Sequence, residues 1–150
     1  MFAFLRATRK AGTRLAAALA AVALAACEPI ALNNAGPAID ASKPVPVALL
    51  VPRSGGSGDA IVAASLENAA RLAIADLNGA RIDLRVYDTA GNEATTASVT
   101  QQAVNDGAKI ILGPLYGGNA NVAGLTAAKA GVNVLAFTNN SSLAGGNVFV

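Results

Sequence analysis

Apolar and polar residues alternate along the chain in patterns that predict strands and helices in turn. The continuous apolar run at 47–51 is typical of a buried strand, and a second, short buried strand is predicted at 109–112. The segment 81–87 alternates strictly, with Ile, Leu and Val on one side and Arg and Asp on the other. Such a half-polar strand is expected at the edge of a sheet, because central parallel strands are apolar throughout. Further strands are predicted at 132–137 and from residue 148 onward.

Helical spacing of apolar residues predicts three helices between these strands. The first is expected to have Asp59 as its N-cap and to close before Gly79. The second covers 94–105, and the third begins with Asn119 as its cap and runs to about residue 130. Strands and helices in alternation predict an α/β fold with a doubly wound parallel sheet. The edge character of the second strand favours the strand order 2-1-3-4-5.

The loops after the first, third and fourth strands carry the candidate binding residues. Ligands of such sheets bind outside the carboxyl ends of the strands, near the switch point between the first and third. The candidates are Ser54, Tyr116, Gly117, Gly118, Thr138, Asn139, Asn140 and Ser141. A plainer interpretation stays open for each loop, namely a tight strand-to-helix turn or a solvated connection. Tyr116 either stacks on a ligand or packs beneath its own loop.

The N-terminus has the pattern of a secretion signal. Residues 1–14 are basic, and the apolar run at 15–23 is too short to span a membrane but fits a signal peptide. The run ends in Leu-Ala-Ala followed by Cys27. This ending resembles the bacterial lipobox, in which the cysteine is acylated and becomes the mature N-terminus. An ordinary signal peptide with a chance cysteine is the alternative.

The lipobox interpretation predicts three segments. Residues 1–26 are the lipoprotein signal peptide, residues 27–44 are the lipidated Cys27 and a flexible tether, and residues 45–150 are the folded lobe. Several acyl chains on one cysteine give stable membrane anchoring. Glu28 after the cysteine, by the sorting pattern of such lipoproteins, favours the outer membrane over the inner one.

Composition narrows the chemistry that the chain can perform. Hydrophobic residues make up 53% and charged residues 13%, which excludes a disordered or highly charged protein. There is no His and one Cys, so no Ser–His pair, internal disulfide or CxxC metal site can form within this chain. We therefore expect no enzyme, no metal and no cofactor.

Charge and glycine spacing disfavour nucleic acids and nucleotides as ligands. The net charge of +2 includes four basic residues in the first 14, whereas seven basic and nine acidic residues follow from residue 28 onward. No basic patch with interleaved aromatics is present in the sequence. A Rossmann fingerprint starting at Gly56 fails because Ile61 stands where its third glycine is needed.

Five stretches together resemble one known family. They read VALLVPRSGGSG, ENAARLAIADLNGA, RIDLRVYDTAGN, GAKIILGPLYGG and GVNVLAFTNNSSLAGGNVFV. In this order, from about Pro44 to Val150, they are similar to the type I periplasmic-binding family with a leucine-binding-protein domain. The last stretch and the lipobox are most similar to the branch of penicillin-binding-protein activator lipoproteins.

This resemblance implies two lobes that close on a solute, of which the chain supplies the N-terminal lobe. The sequence ends three residues into a strand, and we expect an incomplete two-lobed protein. Amino-acid-binding members use the loops after the third and fourth strands, the former usually with a Ser. That position is Gly117 here, so a hydroxyl is missing, while the N–H groups of Gly117 and Gly118 remain possible anion donors.

The function implied is a non-enzymatic, lipid-anchored periplasmic protein. It would bind a small amino-acid-like solute and present it to the permease of an ABC transporter. The alternative is an activator that regulates peptidoglycan synthesis through contact with a peptidoglycan synthase. No nucleic acid is expected as a partner.

Overall fold

The computed structural model describes residues 36–150, which form an α/β lobe built on one parallel sheet. The strands are β1 (Val45–Val51), β2 (Ile82–Asp88), β3 (Ile110–Leu112), β4 (Asn133–Leu135) and β5 (Val148–Phe149). The helices are α1 (Ser57–Ala75), α2 (Glu93–Asn105) and α3 (Gly117–Ala128), with a 3-10 turn at Ser141–Leu143. Residues 1–35, with Cys27 and the predicted signal peptide, lie outside the described part.

The strand order is β2-β1-β3-β4-β5, as predicted, and every neighbouring pair is parallel. β1 pairs with β2 over its whole length, from Val45 opposite Ile82 to Val51 opposite Asp88. On its other side β1 pairs with β3 over only three residues, from Val47 opposite Ile110 to Leu49 opposite Leu112. The chain therefore reverses its direction of winding between β1 and β3, and the switch point lies there.

Alternate residues of β1 supply the two cores. Leu49 and Val51 pack on one face against Ala63 of α1, together with Leu84 and Val86 of β2. Ala48 and Leu50 pack on the opposite face against the small residues of α2 and α3. The predicted alternation of β2 thus directs its apolar side chains toward α1. α1 leaves an apolar depression of about 260 Å³ beside it, with Val47, Ile110, Leu112 and Leu135 in its wall.

The helix starts differ from the prediction because glycine and tyrosine, rather than polar residues, precede them. α1 begins at Ser57 with Gly56 as its N-cap, and Asp59 accepts a hydrogen bond from the Gly56 N–H at 3.2 Å. Asp59 is therefore a first-turn residue and not the cap. α3 begins at Gly117 after Tyr116, so Asn119 lies inside the first turn, where it is buried. α2 does have a polar cap, since Asn92 Oδ1 accepts from the Thr95 N–H at 2.8 Å.

Candidate functional site

The carboxyl ends of β1, β2, β3 and β4 place four loops along one edge of the sheet. These loops cover 52–56, 89–92, 113–116 and 136–140. All the predicted binding residues lie in them or at the first turn that follows. The edge beside the β1–β3 switch point is where open α/β sheets bind ligands. It is therefore the candidate site of this lobe.

Asp88 joins the first two loops at the end of β2. Its Oδ1 accepts from the N–H of Ser54 at 3.1 Å and from the N–H of Ala90 at 2.8 Å. Burial disfavours the charged carboxylate, but the hydrogen bonds from Ser54 and Ala90 outweigh it and lower the pKa of Asp88. Asp88 is thus a turn-forming aspartate. Ser54 is held through its backbone, and the residue is exposed.

Asp59 connects the loop after β3 to the start of α1. The Tyr116 hydroxyl donates to Asp59 Oδ1, while Asp59 Oδ2 accepts from the Gly56 N–H. The hydrogen bond to the carboxylate favours the protonated phenol and, with some desolvation, raises the pKa of Tyr116. A Cβ built on Gly91 would lie 3.6 Å from Tyr116 Cε2, so the ring rests against the loop after β2. The side chain of Tyr116 is thus held between Asp59 and Gly91, and the residue is 40% exposed.

The start of α3 has backbone donors without a helical acceptor. The first intrahelical bond runs from the Ala120 N–H to the Tyr116 carbonyl, so the N–H groups before it have no helical acceptor. A Cβ on Gly117 would lie 3.6 Å from Thr138 Oγ1 and 3.2 Å from Leu143 Cδ1. The structure thus brings together Gly117 and Thr138, which the sequence places on different loops.

The loop after β4 is held mainly by its own side chains. Thr138 Oγ1 accepts from the Asn140 N–H at 3.2 Å. Asn140 Oδ1 accepts from the Ser142 N–H at 3.1 Å and from the Ser142 hydroxyl at 2.6 Å, which caps the 3-10 turn. Asn139, Asn140 and Ser141 are exposed, whereas Thr138 is half-buried beside Gly117. Thr138 is therefore the hydroxyl of this loop that is closest to the start of α3.

Glu93 is a residue at this edge that the sequence argument did not single out. It is the first residue of α2 and is exposed, and a Cβ built on Gly118 would lie 2.2 Å from its Oε1. The signal was present in the sequence, because an acid directly after the Asn92 cap belongs at the positive end of a helix. Its contact with Gly118 could not be deduced from the sequence, since the two residues are far apart along the chain.

Metal-ligand clusters and membrane-spanning helices are both missing from residues 36–150. No group of three or more His, Cys, Asp or Glu side chains in this range is arranged to hold a metal ion. No helix within the same range is long and apolar enough to cross a membrane.

Comparison with known proteins gives one family and several similar structures. A sequence model of the family described as "Periplasmic binding protein" matches residues 44–150. The chain is similar, with a TM-score of 0.64 and 25% identity, to the branched-chain amino acid transporter substrate-binding protein LivJ from Streptococcus pneumoniae, solved with isoleucine. That match covers 71% of this chain and 33% of LivJ. A search of curated proteins gives no match.

Two more solved structures support the likeness. A solute-binding protein of an ABC transporter from Rhodopseudomonas palustris, solved with 3,4-dihydroxybenzoic acid, has a TM-score of 0.59 and 28% identity. That match covers 66% of this chain and 28% of the other. The leucine-binding protein LivK from Thermotoga maritima has a TM-score of 0.59 at 18% identity, over 69% of this chain and 31% of LivK, which shows the fold alone. The chain thus spans about one third of the length of these proteins.

Proposed function

The chain belongs to the periplasmic binding protein family, and we propose that it binds a small amino-acid-like solute outside the cytoplasm for an ABC transporter. In this proposal the chain is the N-terminal lobe of a two-lobed protein and acts by binding rather than by catalysis. LivJ, which was solved with isoleucine, supports the amino-acid-like ligand class, and the R. palustris protein supports a small solute of an ABC transporter more generally.

The observation that carries this proposal is the contact between Gly117 and Thr138 beside the switch point. Free N–H groups at the first turn of α3 and a hydroxyl from the loop after β4 converge there. Donors of both kinds orient small polar ligands in open α/β sheets. Tyr116, held by Asp59, supplies an exposed aromatic ring on the β1 side of the same edge.

Binding of isoleucine and a Thr138→Ala variant test this function. We expect isothermal titration to give saturable binding of isoleucine, weakened about fivefold in the variant by loss of one hydrogen bond. The matched control is Thr126→Ala, since the Thr126 hydroxyl bonds to the Val122 carbonyl within α3. Equal binding by both variants would remove Thr138 from the site. Absence of binding for isoleucine and all other common amino acids would contradict solute delivery.

A peptidoglycan-synthase activator is the second candidate function. Gly117 favours it, because this position lacks the serine hydroxyl usual in amino-acid-binding relatives and lies against Leu143 instead. Native mass spectrometry of the protein from its own cells distinguishes the two. A retained small-molecule adduct supports solute binding, whereas a full-length chain without adduct, even after amino acids are added, supports the activator.

We also propose that Cys27 is acylated and anchors the mature protein to the membrane, preferentially the outer one. Residues 1–26 would be removed, and 27–44 would serve as the tether of the lobe that follows from residue 45. Cys27→Ser, or inhibition of lipoprotein signal peptidase with globomycin, is expected to change membrane fractionation of the protein. Unchanged fractionation would contradict the anchor and leave the binding proposal standing.

A further inference from the structure

The carboxylate of Glu93 lies over the first turn of α3. Glu93 is fixed at the start of α2, because Asn92 caps that helix through the Thr95 N–H. A Cβ built on Gly118 would lie 2.2 Å from Glu93 Oε1 and 3.1 Å from its Cδ. The absence of a side chain at Gly118 is therefore what leaves room for the carboxylate at this place.

The other charged groups at this edge are already engaged within the lobe. Asp88 accepts from two backbone N–H groups, and Asp59 accepts from Gly56 and Tyr116. Arg53 forms an ion pair with Glu67 of α1. Within residues 36–150 no cationic side chain forms an ion pair with Glu93. The start of α3 thus has beside it an exposed carboxylate that no cationic side chain of residues 36–150 pairs with.

We infer that Glu93 determines the charge of the ligand group that binds at the start of α3, selecting an ammonium and disfavouring a carboxylate. This inference rests on the proposed function and deepens it. A carboxylate that approached the N–H groups of Gly117 and Gly118 would meet the Glu93 charge, whereas an ammonium would form an ion pair with it. The N–H groups at the helix start then lie beside a carboxylate, which disfavours a second anion at the place where the sequence allows an anion site.

The inference changes the expected orientation of an amino acid in the cleft. Its ammonium binds to this lobe beside Glu93, with the Thr138 hydroxyl nearby, and its carboxylate points away from the start of α3. A ligand with a carboxylate and no amine binds weakly at this position for the same reason. Isoleucine and 3,4-dihydroxybenzoic acid, which occupy two of the similar proteins, differ in this respect and are useful probes.

The test compares four probes on the native protein and its Glu93→Gln variant by isothermal titration. Two probes are isoleucine and 3,4-dihydroxybenzoic acid. The other two are analogues of isoleucine, an amine that lacks the carboxylate and an acid that lacks the ammonium. We expect the variant to bind isoleucine and the amine about five- to tenfold more weakly, and both acids more tightly by a similar factor. Opposite changes for amine and acids identify a charge effect, since a general loss of packing would weaken all four.

Two further variants complete the test. Asp76→Asn removes one negative charge at the far end of α1 and is expected to change none of the affinities. Gly118→Ala keeps the Glu93 charge but displaces it, and is expected to change affinities in the same direction as Glu93→Gln. Unchanged affinities in Glu93→Gln, with isoleucine still bound, would overturn the role of Glu93 and keep the proposed function. Binding of none of the probes by any variant would overturn both.

Discussion

The two halves of the sheet's carboxyl edge are built differently. In the anchored half, which comprises the loops at 52–56 and 89–92, acidic side chains accept hydrogen bonds from backbone N–H groups. In the open half, which comprises the loops at 113–116 and 136–140 with the start of α3, glycines and a hydroxyl line the surface, and Glu93 from α2 lies beside them. The acidic side chains of the anchored half therefore hold the backbone of their loops in place. The open half keeps unpaired donors and one unpaired charge, and this is the combination that a ligand can use.

The largest expected effect is that of Gly113→Ala at the entrance to the open half. Gly113 has a φ of +82°, and a Cβ there would lie 2.4 Å from the Leu50 carbonyl oxygen. Left-handed strain of about 1–2 kcal/mol and a clash with backbone that costs about 1–3 kcal/mol should together destabilise the lobe by about 2–5 kcal/mol. Urea unfolding measures this loss.

Gly79→Ala separates the two contributions to that loss. Gly79 has a φ of +97°, but a Cβ there would meet no atom within 4 Å. Strain alone should destabilise this variant by about 1 kcal/mol. If the two alanine variants lost equal stability, the close approach of Gly113 to β1 would contribute nothing.

A smaller effect is expected for Asp88→Ala in the anchored half. The Ser54 and Ala90 N–H groups lose their charged acceptor but gain access to water, so the expected cost is about 1 kcal/mol. The lowered pKa of Asp88 gives the sign of the pH dependence. The Asp88 carboxylate stabilises the fold fully at pH values above its pKa in the unfolded chain, which is about 4. This stabilisation is lost as the pH falls through its pKa in the folded protein.

Unfolding free energies should therefore differ between wild type and Asp88→Ala at neutral pH and converge below about pH 4. Glu93→Gln is the matched acid of the open half and should change stability by less than about 0.5 kcal/mol. A large loss in Glu93→Gln, or none in Asp88→Ala, would break the distinction between the two halves.

The contrast also explains which features the sequence could predict. The strand order could be predicted from the alternation of β2, because a strand with one apolar and one polar face is expected at the edge of a parallel sheet. The link between Tyr116 and Asp59 could not be predicted, since it joins side chains 57 positions apart, one at the end of a loop and one in the first turn of α1. The same holds for Glu93 and Gly118. Helix starts at Ser57 and Gly117 were misplaced because glycine and tyrosine caps lack the polar signature that the sequence argument used.

The smallest expected effect concerns the bond that joins the two halves, from Tyr116 to Asp59. The protein has two tyrosines, and both have a raised pKa, that of Tyr116 through Asp59 and that of Tyr87 through burial and Asp106. Because the phenol pKa is higher in the folded protein than in the unfolded chain, the bond stabilises the fold at pH values below the unfolded-state pKa of about 10. This stabilisation is lost as the pH rises through the folded-state pKa. Asp59→Asn should move the pKa of Tyr116 back toward 10, read from tyrosinate absorbance, with little change in stability near neutrality.

Asp106→Asn is the control for that titration, because it should move the pKa of Tyr87 and leave that of Tyr116 unchanged. Tyr116→Phe assigns the two transitions, since it removes one of them. If Asp59→Asn left both transitions in place, the Tyr116 hydroxyl would be free in solution, and no bond from Tyr116 would join the two halves. The ring would then be available to move toward a ligand at the start of α3.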